Sequence, residues 1–318
     1  MTVSRADLER YLDRLASRIQ NPSYGLFGPE SMLWKLNRES IIFLGGGRAA
    51  LLQTAHPFVA HGVDQHSKTK TDPQGRFRRT FANVFAMVFG DLSDATRSAR
   101  RVHAIHDRIT GLITERIGAF DLNSPYEANK EEALLWVHAT LWDTSILVYE
   151  HMFGPLPLPV KDRYYEETKL FAYLFGIPDS VLPPNWTEFM EYNRKMWESD
   201  VLAAGRPASE IAHFILQSPR PELKPVFAWY KIITAALLPE RIRHQFNIGY
   251  GRAEKAVFDA SLRAIRTVYP KVPERLRYLP AYNEAQRRIR GKEGKDLFGK
   301  IVEKSVLLGL KRRESQAA

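Results

Sequence analysis

Along most of the chain apolar residues recur at three and four positions and almost nowhere alternate at two, a pattern that predicts helices and at most minor strands. It places helices at about residues 5–18, 31–36, 41–55, 77–88, 94–117, 131–153, 161–174, 186–202, 209–216, 226–238, 253–268 and 295–310. In 131–153 the residues Leu134, Leu135, Trp136, Val137, Leu141, Trp142, Ile146 and Val148 cover every face, so this segment is expected at the centre of the molecule. Asn185, with Glu188 three positions on and Pro183 and Pro184 before it, forms a capping pattern for one helix, and Ser93 and Asp94 open another. Gly154, Pro155, Pro157 and Pro159 end the central helix without marking a domain boundary, because that helix is too apolar to lack cover on either side. The fold class is therefore all-α, one large multi-helix domain packed in the manner of globins. Its organisation is an N-terminal helix and arm over 1–30, the main domain over 31–290, and a basic amphipathic helix and tail over 291–318.

Composition narrows the chemistry. The 318 residues are 44% hydrophobic and 11% aromatic, enough to bury a core and still wall a pocket. There is no cysteine, which removes disulfide scaffolds, thiolate-bound zinc, iron–sulfur clusters and thiolate-bound haem, and leaves metal chemistry to His, Asp, Glu or Tyr. The net charge of +10 would suit nucleic acid or an anionic membrane. No zinc-finger, RNP-like or phosphate-cradling motif accompanies it, so nucleic acid is not expected as a partner. The tail instead sets Lys295, Lys300, Lys304, Lys311, Arg312 and Arg313 around Leu297, Phe298, Ile301, Val302 and Leu308, which suits docking on its own domain or peripheral contact with a membrane. The start is charged and amphipathic rather than signal-like, and the apolar runs are too short to span a bilayer. A cytoplasmic, at most membrane-associated, protein is the expectation.

Six of the nine histidines fall before residue 139. With Val102, Ile109 and Ile113, His106 recurs at four, three and four residues, on the stripe that would face the core. His103, a turn earlier, lies beside that stripe. His138 is a second imidazole expected in the interior, on the central helix. A buried imidazole is either a hydrogen-bonded core residue or a ligand, and the pattern alone leaves both open. His56, His61 and His66 follow at intervals of five, which no single helical face aligns, although a non-haem metal site built from them is an alternative.

Arg76, Arg79 and Thr80 share one face near the start of the 77–88 helix. They are either solvated or, aimed into a pocket, donors to carboxylates, dioxygen or an oxyanion. Gly45-Gly46-Gly47-Arg48 lacks the spacing of a nucleotide fingerprint. Its small residues would admit another backbone or a flat cofactor, which makes Gly46 and Arg48 candidates for contact with one. Glu150-His151 has the wrong spacing for a di-iron bundle, and no Gly-x-Ser-x-Gly elbow is present.

In this order and at these intervals, GGGRAALLQTAHP, DPQGRFRRT, HDRITG and LLWVHAT resemble the family of latex clearing protein (rubber oxygenase) and MpaB-type oxygenases, over about residues 33–269. The resemblance implies an all-helical fold with a b-type haem held between central helices and its iron on one histidine, which falls on His106. It implies Arg76, Arg79 and Thr80 on the distal, catalytic side, and His138, with His103, beside the cofactor. It also implies O2 as co-substrate and oxidative cleavage of a C=C bond in a hydrophobic, isoprenoid-like molecule. Arg79 stands where the rubber oxygenases carry a lysine able to reach the iron. Arginine stays protonated and cannot ligate, so a five-coordinate or water-bound resting haem is expected. No match to the rubber enzymes' catalytic glutamate is found before Arg76. A haem-binding sensor or carrier without turnover is the remaining alternative.

Overall fold

In the computed structural model the described residues are 1–67 and 73–292, the side chains of 73–78 excepted. The helices are α1 (Arg5–Arg18), α2 (Met32–Asn37), α3 (Gly46–Thr54), α4 (Pro57–His66), α5 (Pro73–Phe89) and α6 (Leu92–His106). After a short antiparallel ribbon, β1 (Thr110–Leu112) with β2 (Pro125–Glu127), come α7 (Glu131–Phe153), α8 (Leu158–Tyr173), α9 (Trp186–Glu198), α10 (Arg206–Leu216) and α11 (Lys224–Leu237). The last are α12 (Glu240–Gln245), α13 (Arg252–Val268), α14 (Glu274–Arg277) and α15 (Pro280–Ile289). The fold is all-α, with the ribbon as its sheet among the described residues. The 295–310 helix expected from the tail lies outside the described residues, and no described helix is long and apolar enough to cross a membrane.

Helix α7 occupies the centre, with α2, α3, α8, α9 and α13 packed around it. Its Leu134, Leu135, Trp136, Ala139, Trp142 and Ile146 join the main core, as do Leu8, Leu12 and Leu15 of α1, so the segment 1–30 shares that core. Asn185 caps α9 as expected, its Oδ1 accepting from Glu188 N at 2.9 Å.

Two expected helices are divided. The segment 41–55 is a 3-10 turn over Ser40–Gly45 followed by α3. The glycines there seat neighbouring helices: a Cβ at Gly45 would lie 2.3 Å from Thr144 Cγ2 of α7, and one at Gly47 would lie 2.2 Å from Thr234 Oγ1 of α11. The segment 94–117 stops as a helix at His106 and runs into β1. Gly111 weakens any helical continuation, and a Cβ there would meet Gln65 Oε1 and Tyr126 OH, each at 2.7 Å. Ile109 and Ile113 therefore pack in a separate small cluster with Phe58, Tyr126 and Ala133, and the expected continuous stripe through His106 does not exist. Helix α4 escaped the pattern because His56-Pro57 reads as a helix end, yet proline at the first helical position is a start signal.

Arg48 is 2% exposed. Its Nη2 donates to Asp143 Oδ2 at 2.5 Å, its Nη1 donates to Thr144 Oγ1, and its Nε donates to the Leu237 carbonyl at 2.8 Å. One guanidinium thus ties α3 to α7 and α11. Removing one member of a buried ion pair costs more than the pair itself contributes, because the other charge is left without a counter-ion. Asp143→Ala is expected to lower unfolding free energy by about 3–5 kcal/mol, with Arg48→Met/Asp143→Leu recovering most of the loss. Urea denaturation of the single and double variants measures both, and an unchanged midpoint in the single variant would show the pair to be dispensable.

Candidate functional site

The end of α6 and the first half of α7 bring two imidazoles, His106 and His138, to one aromatic pair, Phe171 of α8 and Phe175 just after it. His106 is the last residue of α6, and its ring centroid lies 6.5 Å from that of Phe175. Phe175 lies 5.2 Å from Phe171, which in turn stacks on His138 at 6.2 Å. His103, 3% exposed, sits one turn before His106. His103, expected beside the core-facing stripe, is buried close enough to His106 to act on its charge.

The ring nitrogens of this cluster are only partly used by the chain. His138 Nδ1 accepts from Trp142 Nε1 at 3.0 Å, but His138 Nε2, His106 Nδ1 and both nitrogens of His103 are shut from solvent without a hydrogen bond. His103 Nε2 lies 3.4 Å from Asp107 Oδ1, outside hydrogen-bonding geometry. A buried polar atom left unpaired costs about 1–3 kcal/mol, so four such nitrogens on three neighbouring rings mark a place suited to a bound partner. Burial pushes His138 down to about 3. For His106 burial is again the main cause, reinforced by His103 and opposed by the Asn129 amide and the Asp107 carboxylate, and it falls to about 4. Both rings are neutral near pH 7, the state required of a metal-ligating or hydrogen-bonding imidazole.

The histidines of α4 do something different. His56 Nδ1 accepts from Phe58 N at 3.2 Å, capping α4. His61 Nε2 accepts from Thr114 N at 3.2 Å while its Nδ1 donates to the Pro57 carbonyl at 2.9 Å. His66 Nε2 donates to the Thr110 carbonyl at 3.0 Å. The lone pairs of His56 and His61 are thus taken by backbone amides, which corrects the alternative of a metal site on His56, His61 and His66. Among the described residues no three metal-ligating side chains converge.

The other candidates are scattered. At Gly46 a Cβ would meet the Tyr230 hydroxyl at 3.2 Å, so the close approach there is made by α11, and the guanidinium of Arg48 is engaged by Asp143, Thr144 and Leu237. Of the two readings for this run, close approach of another part of the chain or of a flat cofactor, the contacts seen are with the chain. Arg79 and Thr80 stand on α5 and are exposed, unlike the imidazoles; the side chain of Arg76 lies outside the described residues. Of the aromatics of the second half, Phe171 and Phe175 form the wall. Phe189 packs at a tilt against Tyr165 and Trp186, Tyr173 stacks on Tyr11, and Trp197 lies under Arg48. Asn129, just before α7, was not among the expected site residues. It donates to Asp107 Oδ1 at 2.6 Å and faces His106, and a lone asparagine in a loop carries no pattern that would have revealed it.

Fold and site together define an all-helical protein with incompletely partnered imidazoles beside an aromatic pair. The chain belongs to the family described as ER-bound oxygenase mpaB/B'/Rubber oxygenase, catalytic domain, which it matches over residues 33–267. It is thus an oxygenase-family enzyme domain, and all three imidazoles lie within the matched region. It is also similar to protein Mb2261 of Mycobacterium bovis and protein Rv2237 of Mycobacterium tuberculosis, each 22% identical over 233 residues that make up 71% of this chain and 88% of theirs. No solved structure matches the chain.

Burial depresses His56, His106 and His138 to about 4, 4 and 3 in the folded state, against roughly 6.5 for an unfolded histidine. Between pH 6.5 and 4 the unfolded chain therefore binds more protons than the folded one. The stability is present in full above the unfolded value and falls as the pH drops toward the folded values, by up to about 1.4 kcal/mol per pH unit for each ring. Urea midpoints measured from pH 7 down to pH 4.5 should decline accordingly, with a shallower slope in His138→Gln; a flat profile would show that these rings are not buried neutral.

Proposed function

We propose that this chain is a b-type haem-dependent oxygenase acting with O2 on a hydrophobic, unsaturated molecule, isoprenoid-like in character, with His106 as the iron ligand. The observation that carries the reading is the set of buried nitrogens without a partner at His103, His106 and His138, inside the region matched to an oxygenase family. The residues fit the group: His106 is neutral, its Nδ1 is unpartnered, and the apolar ring of Phe175, backed by Phe171, lies beside it. When bound, the haem would supply the activation of dioxygen. The chain's part is to hold one imidazole for the iron, with Asn129 and Asp107 beside it, and to keep water out with the aromatic pair. His138 does not suit the ligand role, since its Nδ1 lone pair is already engaged by Trp142. Gly46, Arg48, Arg79 and Thr80 add no support where they stand, and the donors that complete the site are His103 and His138.

An absorbance spectrum of the protein from haem-replete cells, oxidised and then dithionite-reduced, tests the reading. A Soret band with stoichiometric iron is expected. His106→Ala is expected to lose the band with its fold intact by circular dichroism, whereas His138→Gln keeps the haem. A colourless, iron-free protein would falsify the proposal, and loss of haem in His138→Gln but not in His106→Ala would move the iron to His138.

A further inference from the structure

The two nitrogens of His138 are not equivalent. An indole nitrogen can only donate, so the 3.0 Å contact from Trp142 Nε1 requires a lone pair on His138 Nδ1. A neutral ring then carries its proton on Nε2, and that is the nitrogen shut from water and left without an acceptor. Trp142 is itself fixed: its ring meets Phe171 edge-on at 4.9 Å and 85°, and Tyr164 at 6.2 Å and 77°. The spacing of four residues on α7 places Trp142 and His138 on one side of the helix. Burial lowers the tendency of the ring to take a second proton, to about 3, so it is neutral near pH 7.

We propose that His138 is a fixed, uncharged hydrogen-bond donor through Nε2–H to an oxygen acceptor of the ligand bound against Phe171 and Phe175, and that Trp142 is the positioning residue that sets this tautomer. The inference rests on the haem-oxygenase reading for the identity of the ligand, while the tautomer follows from the hydrogen bond alone. Two imidazoles on one aromatic wall thus divide the work: a ring with an unengaged lone pair can ligate, whereas a ring whose lone pair is engaged can only donate. A neutral donor shut from water favours an oxygen acceptor without placing a full positive charge there, and it costs no reorganisation when the acceptor arrives.

Nitrogen-15 histidine spectra of the full chain, recorded without porphyrin, read the tautomer directly, with the His138 signals identified by their loss in His138→Gln. One Nε2–H tautomer is expected in the wild type, and a mixture of tautomers in folded Trp142→Phe. A wild-type Nδ1–H form, or a single unchanged tautomer in Trp142→Phe, would overturn the role of Trp142. Zinc protoporphyrin IX, a diamagnetic substitute for haem, is then added. A shifted, uncoordinated His138 Nε2–H signal supports the donor role, and an unmoved signal in a chain that binds the porphyrin overturns it. A chain that binds no porphyrin overturns the haem reading, while the spectra of the free chain still decide for or against the positioning by Trp142.

Discussion

The structure depends on the constraint that α7 is buried on every side. A helix in that position satisfies its own backbone, but each polar side chain it carries must find a partner inside the protein. Asp143 finds Arg48 of α3, Thr144 accepts from the same guanidinium, and His138 accepts from Trp142 one turn on. The first two contacts fix α3 and α11 against one side of the helix, where the glycines at 45 and 47 let the backbones close in. Asp143 and Thr144 are both partnered on that side, and it is scaffold.

The side facing Phe171 is different. There the His138 Nε2–H has no acceptor, and the end of α6 brings His103 and His106, with nitrogens likewise unused, to the neighbouring rings. One helix thus presents a satisfied polar face to the scaffold and an unsatisfied one to the site. Unpaired buried polar atoms are costly and stay few in folded proteins. Four of them fall on His103, His106 and His138, within the region matched to the family.

The positions of the α6 and α4 histidines show what pattern reading can and cannot reach. The stripe through Val102, His106, Ile109 and Ile113 selected His106 on a helix assumed to continue to 117, but the helix ends at His106 and the two isoleucines belong to another cluster. The residue is half-buried, with its Nδ1 shut from solvent, for a different reason: its place at the helix end, beside Asn129 and Phe175. His56, His61 and His66 looked alike in sequence, and only the fold shows two of them accepting from backbone amides and the third donating to a carbonyl.

By itself the sequence determined the helical class, the central place of α7, the boundaries of α1 and α7, the freedom from thiol chemistry and, through four motifs, the family. Those properties follow from local periodicity, capping and composition, which act within a few residues. The tertiary structure alone decided which imidazole nitrogens are engaged and which are not. It also assigned the glycines before Arg48 to helix packing, and it placed Phe171 and Phe175, rather than Phe189 or Trp197, at the site. The physical reason is that a hydrogen-bond partner or a ring contact is chosen by position in space, and residues such as Trp142, Phe171 and Asn129 reach the histidines only once α6, α7 and α8 have packed.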